Sequence, residues 1–408
     1  MTVFKEFPAK DELLNWYKKT GNNVVREVNA HFHTPFSFSA FKNIEEVFEL
    51  ANKENVEVLG INDFFVADGY DEFYSNCLKN NKFPLFNIEF IGLLKEEMKK
   101  GMRINDPNNP GRTYFSGKGL DYPFNLPGKF AKRLEELREE TQVQVKEMTR
   151  KAAALLQALD SDIVLDFDTM KKKYAKKLVR ERHIAKAIRE VIYDKYLDDI
   201  ARKDFLEKLY DKTPKSPVND HAATENEIRG NLLKAGGKAF VAEDERSFLE
   251  IDKIKSIILN AGGIPCYPVL LDDKDGNITE FEADKEQLLE KLVEYGVYCI
   301  ELIPGRNDAD ILEDFVKFFD DQKFIILLGT EHNTPDLIPL SITTRGGHPL
   351  SPYLKKVNYE GACVLAAHQY LRARGEKGYI HPCGTAARDS KNEFVELGKA
   401  VIERFINM

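Results

Sequence analysis

Cysteine, histidine and tryptophan are scarce in this chain: its 408 residues include five Cys, eight His and one Trp. The cysteines, at 77, 266, 299, 363 and 383, form no Cys-x-x-Cys pair and leave one over if paired. That pattern excludes a disulfide framework and a thiolate zinc knuckle, and it points to free thiols in a reducing compartment. Apolar runs of membrane-spanning length are also missing, and the opening Met-Thr-Val-Phe-Lys-Glu-Phe has no secretion-signal core, so no membrane partner and a cytoplasmic location are expected. Positive charge is in deficit. A formal net charge of -8 argues against binding extended nucleic acid, although a local basic pocket can still hold phosphate. A hydrophobic content of 43% is enough for a real core, and the length suits one large domain with an insertion, or two domains.

What the chain does have is His31-Phe32-His33-Thr34 at the end of an apolar stretch. Strand side chains alternate faces, so His31 and His33 point the same way and can hold one metal ion together, unless they are simply polar residues packed in a strand end. Asn43 then caps a helix whose apolar stripe is Ile44, Val47, Phe48 and Ala51, with Glu46 placed as the capping-box partner. Strands are expected at 56–61, followed by Asn62 and Asp63, and at 84–90, carrying Glu89. Polar residues thus gather at successive strand ends, where α/β barrels and open α/β sheets keep their chemistry.

A second βα series begins near Ser247. A helical face of Ile251, Ile254, Ile257 and Ile258 stops at Gly262-Gly263, and strands are expected around 264–268, 297–302 and 324–329. Between the two series, apolar residues from Phe130 to Leu159 recur at spacings of three and four, which predicts one long helix packed along that stripe. A charged helical region follows over 169–210. The expected organisation is an N-terminal helical segment (1–24), a barrel built from 25–95 and 246–340, an α-rich insertion (96–245), and a C-terminal segment (341–408) that the pattern places no further than a helix from Lys391.

The ordered motifs His31-Phe-His33-Thr34, Asn62-Asp63-Phe64, Ile88-Glu89, Gly262-Gly263-Ile-Pro-Cys-Tyr267-Pro268 and Gly329-Thr330-Glu331-His332-Asn333 resemble those of the polymerase and histidinol phosphatase (PHP) superfamily. Arg180-Glu-Arg182-His183-Ile-Ala resembles the Arg-Pro-His-Ile-Ala segment in the insertion of the PHP phosphoesterases that act on nucleotides and short RNA ends. The resemblance covers roughly 25–335. It implies a distorted seven-stranded βα barrel with a large α-helical insertion and metals at the C-terminal mouth. The chain departs from the family at three ligand positions, which are Phe38, Phe64 and Tyr267 here, and it lacks the final imidazole of the last motif.

A reduced site is expected in consequence. His31, His33, Glu89 and Glu331 supply two imidazoles and two carboxylates for one divalent ion, Zn, Mn or Fe, with His332 as a substitute imidazole. Arg112 and Lys118, in a glycine-rich segment read as a loop, and Arg306, after the strand ending near Glu301, are the phosphate-binding candidates. Asp63 and His183 are the candidates for moving a proton. The expected activity is metal-dependent hydrolysis of a small phosphorylated metabolite or nucleotide. A non-phosphatase hydrolase or lyase with a rebuilt site, and a binding protein without turnover, are the alternatives.

Overall fold

Six short segments rich in Val, Ile, Leu and Phe pair in parallel and bury nearly every side chain, as strands covered on both faces must. They are seen in a computed structural model that describes every residue except Met1, Asn23 and Lys274. Strands β1 (Val28–Phe32), β2 (Val58–Phe64), β3 (Phe83–Leu93), β4 (Arg112–Lys118), β6 (Ile264–Val269), β7 (Cys299–Leu302) and β8 (Ile325–Leu328) lie side by side in that order. The two-residue β5 (Leu249–Glu250) pairs with the far end of β3. A parallel bridge between Phe32 and Glu331 brings β8 back to β1, so the sheet is a nearly closed, distorted barrel with a helical insertion.

One strand runs the other way. β4 is antiparallel to both β3 and β6, and it occupies the segment read from sequence as a glycine-rich loop. The loop reading is corrected because Gly117 serves close packing within this strand, where a Cβ would lie 3.0 Å from Ile258, and Gly119 turns the chain just beyond it with a φ of 63°. Tyr114, Ser116 and Lys118 consequently share one face of β4, which matters for the site below.

The helix expected along the Phe130 stripe runs Gly128–Leu159, 32 residues long. Leu134 and Leu137 near its start belong to the barrel core, whereas Val145, Met148, Ala152 and Leu156 belong to a second core. That second core also takes Ile184, Ile188 and Ile192 from the helix Glu181–Lys195. The insertion therefore has an apolar interior of its own, joined to the barrel by one continuous helix.

Residues 352–373 and 391–406 form two helices against the barrel's outer face. Asn358 on the first bridges the seam, accepting from Leu328 N at 2.8 Å and donating to Val28 O at 3.1 Å. Gln369 serves β3 in the same way, through Phe86 N and Pro84 O, both at 3.0 Å. Among the described residues no helix is long and apolar enough to cross a membrane.

Candidate metal and anion site

His31 on β1 and His33 just beyond its end are buried, and neighbouring strands supply their partners. Glu301 on β7 lies 2.8 Å from His31 Nδ1, while His33 Nδ1 is 3.3 Å from the Ser37 hydroxyl. Since Ser37 donates its own proton to Asp63 at 2.6 Å, it accepts from His33. Both rings thus carry their proton on Nδ1 and have an unprotonated Nε2, the outer arrangement usual for metal-binding imidazoles.

The two Nε2 atoms lie 3.3 Å apart, and His33 Nε2 is 3.2 Å from Glu89 Oε2 on β3. That carboxylate oxygen is buried and receives no hydrogen bond. One ligand atom from each of His31, His33 and Glu89 lies within 4.8 Å of the other two. Three lone-pair donors facing one another without a proton between them fit a divalent cation, and two His with one Glu match an open catalytic set. Asn62 Nδ2 donates to His31 Nε2 at 2.9 Å, so an ion bound there displaces an amide.

Burial tunes these groups. It lowers His33 to about 3, with the Arg180 charge adding to the effect, so the imidazole is neutral at ordinary pH. Burial raises Glu89 to about 7. At Glu301 burial pushes upward, but the charge of Lys118 and the His31 ring outweigh it and hold the carboxyl well below its ordinary value.

Several expected roles change once the residues are placed. Glu331 lies outside the three-ligand cluster; its carboxylate pairs with the Arg306 guanidinium. Strand alternation does not govern Glu331 and His332, because both have left-handed backbone, with φ of 72° and 53°. His332 packs its ring on Phe41 and is bonded to Thr330 Oγ1 and Ile338 O at 2.7 and 2.8 Å, which turns it away from the cluster. Asp63 accepts from Thr34 and Ser37 and braces the loop carrying His33. His183 is buried, accepts from Arg180 N at 2.9 Å and meets the edge of Phe38. Neither Asp63 nor His183 lines the cavity. Lys118, expected at a phosphate, is fully buried against Glu301 and Asn62.

A cavity of about 950 Å³ opens over His31, Glu89 and Glu301, roofed by the insertion. Arg112 and Arg306 both line it, as expected, but each is already engaged: Arg112 with Glu243 and Asp106, Arg306 with Glu331. Arg229 and Lys234 share Glu181. The cavity cations without a carboxylate partner among the described residues are Arg180, whose guanidinium lies 4.5 Å over the Phe64 ring, and Arg182, bonded to Asn226 Oδ1 at 3.0 Å. Burial and the neighbouring Arg229 lower Arg182 to about 10, the mark of a crowded cationic corner. The Arg180-Glu-Arg182 spacing was the available signal.

No protein family matches the chain, and no curated protein matches it. Solved structures do. A protein from Bifidobacterium adolescentis assigned as a metal-dependent phosphoesterase superposes with a TM-score of 0.51 at 13% identity, covering 82% of this chain and 96% of its own. An amidohydrolase from Chromobacterium violaceum, solved with bound sulfate and no metal, superposes with a TM-score of 0.51 at 15% identity, covering 81% and 96%. At such identities the likeness is one of fold.

Proposed function

We propose that this protein is a metal-dependent hydrolase acting on a small phosphate ester, with His31, His33 and Glu89 holding one divalent ion. The carrying observation is the convergence of two imidazole nitrogens that carry no proton, one of them accepting from the Asn62 amide, and an unpartnered, buried carboxylate oxygen at the floor of the cavity. A Zn, Mn or Fe ion there supplies Lewis acidity and a water of lowered pKa. The assignments of the two neighbouring structures, as a metal-dependent phosphoesterase and an amidohydrolase, support this class of chemistry.

The chain's own residues carry the rest. Glu301 fixes the tautomer of His31, and Ser37 with Asp63 fixes that of His33. Arg180 and Arg182 meet the phosphate, being cations free of carboxylates, and the Phe64 ring holds the Arg180 guanidinium 4.5 Å from its centre. Arg306 joins them by exchanging Glu331 for the substrate. A dianion recovers more from these groups than a neutral substrate does, because it alone supplies charge to both guanidinium groups that lack a carboxylate partner.

Phosphate release from a panel of phosphomonoesters and nucleotides, assayed with added Zn or Mn, tests the reading. Wild type should turn over at least one class, and Arg180→Met should retain metal while losing ten- to a hundredfold in kcat/KM. No release across the panel from metal-loaded protein overturns it. A second reading, hydrolysis or lysis of a less charged substrate, is favoured by the pairing of Arg112 and Arg306 with Glu243 and Glu331. A panel of amides and sugar acids separates the two.

A further inference from the structure

The reversed direction of β4 has a chemical result. Arg112 lies opposite Leu93 near the cavity's outer end, Ser116 lies opposite Glu89, and Lys118 reaches deeper, opposite Ile264 of β6. Lys118 is fully buried. Its ammonium pairs with Glu301 and donates to Asn62 Oδ1 at 3.2 Å. Glu301 also accepts from the Ser116 hydroxyl at 2.5 Å and from His31 Nδ1 at 2.8 Å, so both of its oxygens are already engaged. This buried carboxylate lies outside the three-residue cluster and is held by the lysine, the serine and the histidine together.

We propose that the Lys118 ammonium is a resident cation of the site, neutralising Glu301 and thereby restricting the His31, His33 and Glu89 cluster to a single divalent ion. The proposal rests on the metal-holding reading of that cluster. Counting charges shows the restriction. With neutral imidazoles, Glu89, Glu301 and Lys118 together carry one negative charge, so one divalent ion leaves a single positive charge to be met by an anionic substrate. A second ion would leave three positive charges in a barrel interior where charges are weakly screened. Lys118 does a second job through Asn62. By donating to Oδ1 it fixes the amide so that Nδ2 faces His31 Nε2, which keeps that imidazole aimed at the cluster before any ion arrives.

The test titrates zinc chloride into metal-free full-length protein by calorimetry, with elemental analysis after gel filtration. Wild type should retain one equivalent. Lys118→Met should bind the first ion at least tenfold more tightly and take up a second, because a nearby positive charge is gone. Lys118→Arg should keep the wild-type count. Should Lys118→Met fail to fold, Lys118→Met combined with Glu301→Gln carries the test: it removes both charges, and it should bind one ion within about threefold of the wild-type affinity. Unchanged or weaker binding in folded Lys118→Met overturns the proposal and leaves the metal reading standing, as does a tenfold change in the double variant. A wild type that binds no zinc overturns both.

Discussion

Gly329, the last residue before the turn that closes the barrel, touches His31 so closely that a Cβ built on it would lie 2.4 Å from the histidine Cβ and 2.7 Å from its backbone nitrogen. The amides of Thr330 and Glu331 both donate to the His31 carbonyl, at 3.0 and 2.9 Å, so this contact is held on both sides. Gly329→Ala should therefore cost about 2 kcal/mol or more through overpacking. A denaturant midpoint indistinguishable from wild type would contradict the tight seam.

Glu89→Gln tests the cluster without changing its shape. The wild-type carboxylate is buried with an unpartnered oxygen, so the amide should leave thermal stability of the metal-free protein equal or slightly higher. Added zinc should raise the Tm of wild type and leave that of the variant unmoved. An equal zinc-induced shift in both would remove Glu89 from the ligand set.

Met148 tests the second core. It is 1% exposed on the face that the Gly128–Leu159 helix turns toward Ile184 and Ile188. Met148→Asp buries a charge with no partner and should cost about 3 kcal/mol or more. Limited proteolysis should then cut the insertion first. A variant with an unchanged melting curve would show that this face is not packed.

His368 provides a pH test away from the His31, His33 and Glu89 cluster. It donates from Nε2 to Gly262 O at 2.6 Å and accepts at Nδ1 from Tyr379 N at 2.9 Å, which requires the neutral ring, and burial lowers it to about 4. The unfolded chain binds this proton near pH 6.5 and the folded chain does not, so the stabilisation is complete above pH 6.5 and is lost as pH falls toward 4. Between those limits wild type should lose about 1.4 kcal/mol per pH unit more than His368→Gln. Parallel stability profiles would refute the assignment.

Much of this was legible where the signal was local. The alternation of His31 and His33, the Asn43 cap, whose side chain accepts from Glu46 N, and the Gly262 stop all depend on neighbours in sequence. The stripe from Phe130 onward predicted the long helix, with Leu156 rather than the exposed Leu159 as its last buried residue. The helix Pro352–Ala373 left no stripe to read because it is buried on nearly all sides, and such a helix has no polar face. Glu301 carries no local signal at all: its partner His31 lies 270 positions away, and only the closed barrel puts them 2.8 Å apart. The turn at Glu331 and His332 defeated alternation because two successive left-handed residues are not extended chain.

The reversed strand β4 makes the site unusually sensitive to length. Arg112 and Tyr114 on the cavity wall, Ser116 beside Glu301 and Lys118 beneath it all descend from one seven-residue stretch, read at every second position. Deleting a single residue inside it, with flanking pairs kept in place, would send the positions beyond the deletion to the opposite face of the sheet. Substitutions along β4 can alter the site one contact at a time, whereas an insertion or deletion there removes cavity wall, carboxylate support and buried cation together. Any lineage that preserves this chemistry must therefore preserve the number of residues between Arg112 and Lys118.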